Sequence, residues 1–125
     1  MKDIVSKNAP APIGPYSQAI VAGNFLFVSG QVAIHPSTGE LVLQDIQAET
    51  TQVMENIKAI LTEAGTDFSH IVKTTIFLKD MQDFAAVNTV YGSYLSQPFP
   101  ARETVAVAGL PKNVNVEISV TVLLG

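Results

Sequence analysis

The apolar positions of this chain change period as it is read from one end to the other. Ser17 to Ala22 and Phe25 to Ser29 are two apolar runs with Gly23-Asn24 between them, the pattern of a β-hairpin closed by a two-residue turn. His35 to Glu40 is broken by Pro and Gly and reads as a loop. From Asp45 the spacing becomes helical, with Ile46, Val53, Ile57, Ile60, Leu61 and Ala64 on one face. Asp45 suits the N-cap, and Gly65 suits a left-handed helix end. Ile71 to Leu78 is β-branched and predicts a strand. Asp80 and Asp83 then flank the start of a second helix with Phe84, Val87, Tyr91 and Leu95 on its apolar face, stopped by Pro98 and Pro100. Ala101 to Ala108 and Val114 to Leu124 predict two final strands. In the last, Val114, Val116, Ile118, Val120 and Val122 alternate with Asn115, Glu117, Ser119 and Thr121.

The predicted order is ββαβαββ in one domain over residues 1–125, an α+β layer with two helices on one face of a mixed sheet. The segment Asn8 to Pro15 reads as an irregular lead-in. Two helices leave the other sheet face uncovered. A solvated face is normally well charged, yet only 14% of residues here are charged, against about 25% in an average domain. The pattern therefore predicts a homo-oligomer packed through that face.

Composition removes several classes of function. There is no cysteine, so thiolate metal sites, disulfides and cysteine nucleophiles are excluded. The net charge is −4 and the lysines are scattered, which argues against nucleic-acid binding. No apolar run is long enough to span a membrane, and no apolar leader is visible, so a cytoplasmic location is expected. His35 and His70 are isolated, and no metal-ligand spacing surrounds them. Neither a phosphate-binding loop nor a dinucleotide fingerprint occurs.

Two charged residues stand out. Arg102 is the only arginine, placed at a strand start just after Phe99-Pro100. Its planar fork suits bidentate capture of a carboxylate; the plainer reading is a surface ion pair with Glu103 or a helix acid. Glu117 lies within a strand, where acids are disfavoured. It could orient or deprotonate a water, or it could be an exposed acid on a solvated face. If the last two strands pair, their register decides whether Arg102 and Glu117 share a face. Ser29-Gly30-Gln31 reads as a strand end with a glycine bend that can bring backbone close to a ligand. Tyr16 is a packed loop aromatic or a pocket wall, and Asn88 a polar residue on the surface or interface side of the second helix.

A set of short segments then carries a resemblance: Ala11-Pro12-Ile13-Gly14-Pro15-Tyr16-Ser17-Gln18, Ser29-Gly30-Gln31, Val72 to Asp80, Asp83 to Asn88, Pro100-Ala101-Arg102, and Leu110-Pro111-Lys112 followed by Val116-Glu117-Ile118. In this order and spacing the chain resembles the reactive intermediate deaminase (RidA, YjgF-like) family from about Asn8 to its end. The resemblance implies a chorismate-mutase-like fold and a homotrimer with three sheets around a central barrel and clefts between subunits. It also implies hydrolysis of 2-imino acids such as 2-iminobutanoate and 2-iminopropanoate, from their enamine tautomers, to 2-oxo acids and ammonia. Such intermediates come from pyridoxal-phosphate-dependent dehydratases acting on threonine or serine; the deaminase itself needs no metal or organic cofactor. By matching positions, Arg102 is expected to grip the substrate carboxylate and Glu117 to position water. Tyr16, Ser29, Gly30, Phe84 and Asn88 are expected to line or support the cleft, and the backbone of Thr104 to contact the imine nitrogen. The family commonly has Ser-Cys after the arginine, where this chain has Glu103-Thr104, and Gly109 stands where an arginine is usual. The alternative is a non-catalytic trimer that binds 2-oxo acids as a regulator.

Overall fold

The computed structural model describes residues 1–125. Its strands are β1 (Lys2–Ile4), β2 (Ala19–Ala22), β3 (Phe25–Gln31), β4 (Ile71–Leu78), β5 (Ala101–Ala106) and β6 (Val116–Leu123), with helices α1 (Ile46–Glu63) and α2 (Phe84–Ser93). One six-stranded sheet runs in the order β1-β2-β3-β6-β4-β5. All neighbours are antiparallel except β4 and β5, which are parallel. The hairpin forms as its apolar runs predict, with Gly23 at φ 60° in the turn.

Local signals place α1 where the periodicity does. The Asp45 carboxylate accepts from the Ala48 N–H at 2.7 Å, an N-cap worth about 1 kcal/mol. Gly65 follows the helix at φ 77°. The buried stripe Val53, Met54, Ile57, Ile60 and Leu61 of α1 packs on Leu26 and Val28 of β3 and on Val116, Ile118, Val120 and Val122 of β6, the core of the domain. α2 lies beside α1. No helix is long and apolar enough to cross a membrane.

Two expectations change, and one pairing left open is decided. The sheet has an extra strand, β1, which carries one buried residue, Ile4, and pairs with β2 from 15 or more residues away. Three residues with one inward side chain leave no readable period. α2 ends at Ser93 instead of running on to the prolines: Gly92 and Ser93 are poor helix formers, and Tyr94 closes the helix in a tight turn. The last two strands do not pair. β4 lies between them, reached from β5 by a parallel ladder and from β6 by an antiparallel one.

The face of the sheet away from the helices carries Phe25 and Phe27 of β3, Glu117, Ser119, Thr121 and Leu123 of β6, Phe77 of β4 and Val105 of β5. Phe27 is 48% exposed and Val105 44%. Its ion pair, Lys73 to Glu103 at 3.1 Å, is open to water and worth under about 1 kcal/mol.

Candidate active site

Arg102 is held by α2. Phe84, Asn88 and Tyr91 recur at three- and four-residue spacing, so they share a side of that helix. The Arg102 guanidinium lies 5.6 Å from the Phe84 ring centre and 5.5 Å from that of Tyr91, and its Nη1 donates to Asn88 Oδ1. Tyr91 is itself fixed, its hydroxyl donating to the buried Thr74 Oγ1 at 2.9 Å. Burial pushes the Tyr91 hydroxyl above its ordinary pKa, so it remains a neutral donor. Arg102 has no carboxylate partner: Glu103 points to the opposite face and pairs with Lys73. The surface ion-pair reading of Arg102 is thereby removed. Its remaining N–H groups face a cavity of about 300 Å³ bordered by Leu95, Phe99 and Pro100. The Thr104 hydroxyl lies on the same side of β5, buried and without a hydrogen-bond partner.

Glu117 occupies a different place. In β4, Thr74 opposes Arg102 while Phe77 opposes Glu117, so the two charged residues lie on opposite faces of the sheet. Glu117 borders a cavity of about 510 Å³ with Tyr16, Ser29, Gly30, Pro111 and Lys112. Burial pushes its carboxyl above the usual carboxylate range, with no protein hydrogen bond or cation to offset it. The β3–β6 register shifts between Val28 and Gln31, and Gly30 sits in that irregularity. A Cβ on Gly30 would lie 2.7 Å from Glu117 Cδ. Only glycine at this position lets the glutamate fold down over the strand; any side chain here would displace it.

The lead-in before β2 forms the rest of this wall. Ser29 donates its hydroxyl to the Ser17 carbonyl at 2.6 Å, which commits its proton to the scaffold. Gln18, 2% exposed, accepts from Ser6 N–H at 2.6 Å and donates to the carbonyl oxygens of Ser6, Ala9 and Pro10. It pins the Pro- and Gly-rich segment that carries Tyr16. Gln18 was visible only as part of a motif. A buried amide spends its donors on irregular backbone because no strand neighbour is there to take them. Of the remaining ionisable candidates, His35 accepts from the Ser37 N–H, and His70 contacts Asp67 on the surface.

In one chain, then, Tyr16, Ser29, Gly30 and Glu117 come together, and so do Phe84, Asn88 and Arg102 with Thr104 beside them. The two groups do not meet. They define a class: small α+β proteins with an arginine that lacks a carboxylate partner on the helix side of the sheet and a desolvated carboxylate on the other. Residues 6–124 match the family described as endoribonuclease L-PSP. A RutC family protein of Pyrococcus horikoshii is 56% identical over 119 residues, covering 94% of each chain. The chloroplastic Reactive Intermediate Deaminase A of Arabidopsis thaliana is 48% identical over 118 residues, covering 94% of this chain and 63% of that protein. The solved structure of YyfA from Yersinia pestis, a protein of the conserved Rid family, superposes with a TM-score of 0.95 at 49% identity, covering 98% of both chains. The chain belongs to the YjgF/RidA family.

Proposed function

We propose that this protein hydrolyses 2-imino acids to 2-oxo acids and ammonia, in clefts that pair Arg102 of one copy with Glu117 of another in a homotrimer. The observation that carries the reading is Arg102: a cation without a carboxylate partner, set against two aromatic rings and braced by Asn88. That is a preformed seat for the substrate carboxylate. The exposed apolar sheet face supports the assembly.

The chemistry asks for little more. An imine carbon is already electrophilic, so orientation and a placed water supply the acceleration. Glu117 takes a proton from water as its oxygen adds to the carbon and passes that proton to the imine nitrogen, giving a neutral tetrahedral carbinolamine. It then takes the hydroxyl proton and delivers it to the nitrogen as the C–N bond breaks and the C=O bond forms, so the imino acid and water leave as 2-oxo acid and ammonia. A carboxyl raised by burial suits both directions of transfer. The Thr104 backbone carbonyl accepts from the imine nitrogen, and no thiol is needed. The substrates fit the class released by pyridoxal-phosphate-dependent threonine and serine dehydratases. The family description names an endoribonuclease, but a chain with one arginine and a net charge of −4 offers no basic groove for RNA.

The deciding experiment couples the protein to a threonine dehydratase and follows 2-oxobutanoate while semicarbazide competes for the imine. Acceleration supports the reading. A flat assay combined with a melting shift on adding 2-oxobutanoate would replace it with non-catalytic binding.

Two further outcomes follow from the Glu117 cavity. Gly30→Ala is expected to rotate Glu117 away from its seat and lower kcat by about tenfold or more, with a small change in melting temperature, since only a side chain must move. Retained kcat in that variant would show that the seat of Glu117 is not needed. The second concerns pH. Because the folded-state pKa of Glu117 is raised, the stability conferred by its neutral form is complete below the unfolded value, about 4.3, and is lost as pH rises through the folded value. Glu117→Gln, permanently neutral, should therefore melt no lower than wild type at pH 7 while losing turnover. Wild-type kcat/KM should fall on acidification with a midpoint above that of an ordinary glutamate; a midpoint at or below the ordinary value of about 4.3 would count against Glu117 as the base.

A further inference from the structure

Glu49 is fully buried in the first turn of α1 and faces no cation. A carboxylate in such a place is costly unless donors occupy its oxygens. Here three do, and all belong to two adjacent residues of a segment 66 positions away. Oε2 accepts from the Asn115 N–H at 2.7 Å and from the Val116 N–H at 3.2 Å; Oε1 accepts from Asn115 Nδ2 at 2.7 Å. The Asn115 carbonyl in turn accepts from the Lys79 N–H at 3.0 Å at the end of β4.

The clamped pair lies between two features that need holding. Just before it, Lys112 and Asn113 are both left-handed, at φ 56° and 57°; Asn adopts this conformation readily, but for Lys112 it is costly and persists only where the surroundings enforce it. Just after it comes Glu117. Pro111, Lys112 and Glu117 all border the same cavity. An apolar residue at position 49 could fill space but would leave the Asn115 and Val116 N–H groups without their acceptor, so helix packing alone does not account for a carboxylate.

We infer that Glu49 is a positioning residue for the Glu117 cavity: from α1, its carboxylate clamps the Asn115–Val116 backbone and so holds the strained Pro111–Asn113 turn and the Glu117 side chain in register. What the positioned glutamate does rests on the deaminase reading; the clamp itself is a matter of backbone and can be tested separately.

The test compares Glu49→Leu with Glu49→Gln. Each is scored as kcat and KM on folded protein, and hydrogen exchange over residues 110–118 is measured without substrate. In Glu49→Gln the Asn115 amide can flip, so that its oxygen accepts from the new side-chain N–H₂; kcat should stay within about threefold of wild type. Glu49→Leu should lose about tenfold or more in kcat with KM changed by less than about threefold, and residues 112–116 should exchange faster while β3 and β4 stay protected. Should Glu49→Leu fail to fold, Asn115→Ala removes one donor and leaves α1 intact, with a smaller loss of kcat expected in the same direction. Wild-type kcat and local protection in the Leu variant, or in Asn115→Ala where that one is used, would overturn the inference. Exchange rising equally across the whole sheet would also overturn it, leaving a purely structural role. If wild type itself shows no deaminase activity, the function reading fails alone and the exchange comparison decides the clamp.

Discussion

Arg102→Lys is expected to cut imine hydrolysis by about a hundredfold or more in kcat/KM, although the charge is kept. Lysine cannot offer a planar fork. Two charge-assisted hydrogen bonds to the substrate carboxylate become one flexible contact, a loss of about 3 kcal/mol. Nor can an ammonium keep the guanidinium's contacts with both the Phe84 and Tyr91 rings while meeting Asn88. The substrate then binds less tightly and in more orientations, so both KM and kcat should suffer. Arg102→Ala should be worse still. Stability should change little, because Arg102 is exposed and makes one protein hydrogen bond. The dehydratase-coupled assay reads this directly. A lysine variant as active as wild type would remove the carboxylate grip from the mechanism.

Mixing two inactive variants is expected to restore activity. Arg102→Ala and Glu117→Gln chains, co-assembled in equal amounts, should recover about a quarter of wild-type turnover per site. The arithmetic follows from a cleft shared between copies. A working site needs its arginine from a Glu117→Gln chain and its glutamate from an Arg102→Ala chain, each chosen about half the time. The reason to expect it is geometric. Within one chain the sheet itself separates the two side chains, since Arg102 shares a face with Thr74 and Glu117 with Phe77. No single ligand can touch both from one copy. Mixed oligomers no better than either parent, or a monomeric mass for wild type by light scattering at micromolar concentration, would refute the shared cleft.

Much of the scaffold was legible in the residues. Asp45, Gly65 and the Gly23-Asn24 turn declare themselves locally, because capping and left-handed geometry depend on a few neighbouring atoms. The alternation in β6 is equally plain, since its Val and Ile side chains fill the core and the residues between them do not. Arg102 and Glu117 stood out as a lone arginine and a strand acid. Gln18 and Glu49 did not. Their work is to satisfy backbone groups brought near by the fold, and a buried glutamine or glutamate looks in sequence like any surface one. β1 was silent for a similar reason: its pairing with β2 joins segments that no local pattern links.

Read alone, the residues established five of the six strands, both helices and their place on one side of a sheet, the shortage of charge and the family resemblance. All of these depend on periodicity and residue type, which short-range sterics and burial translate directly into local structure. That β4 lies between β5 and β6, so that Arg102 and Glu117 fall on opposite faces, emerges from the assembled sheet. Strand order and register are set by packing of the whole sheet against α1 and by contacts between distant segments. A shift of one residue would leave each strand's pattern unchanged while turning every side chain over.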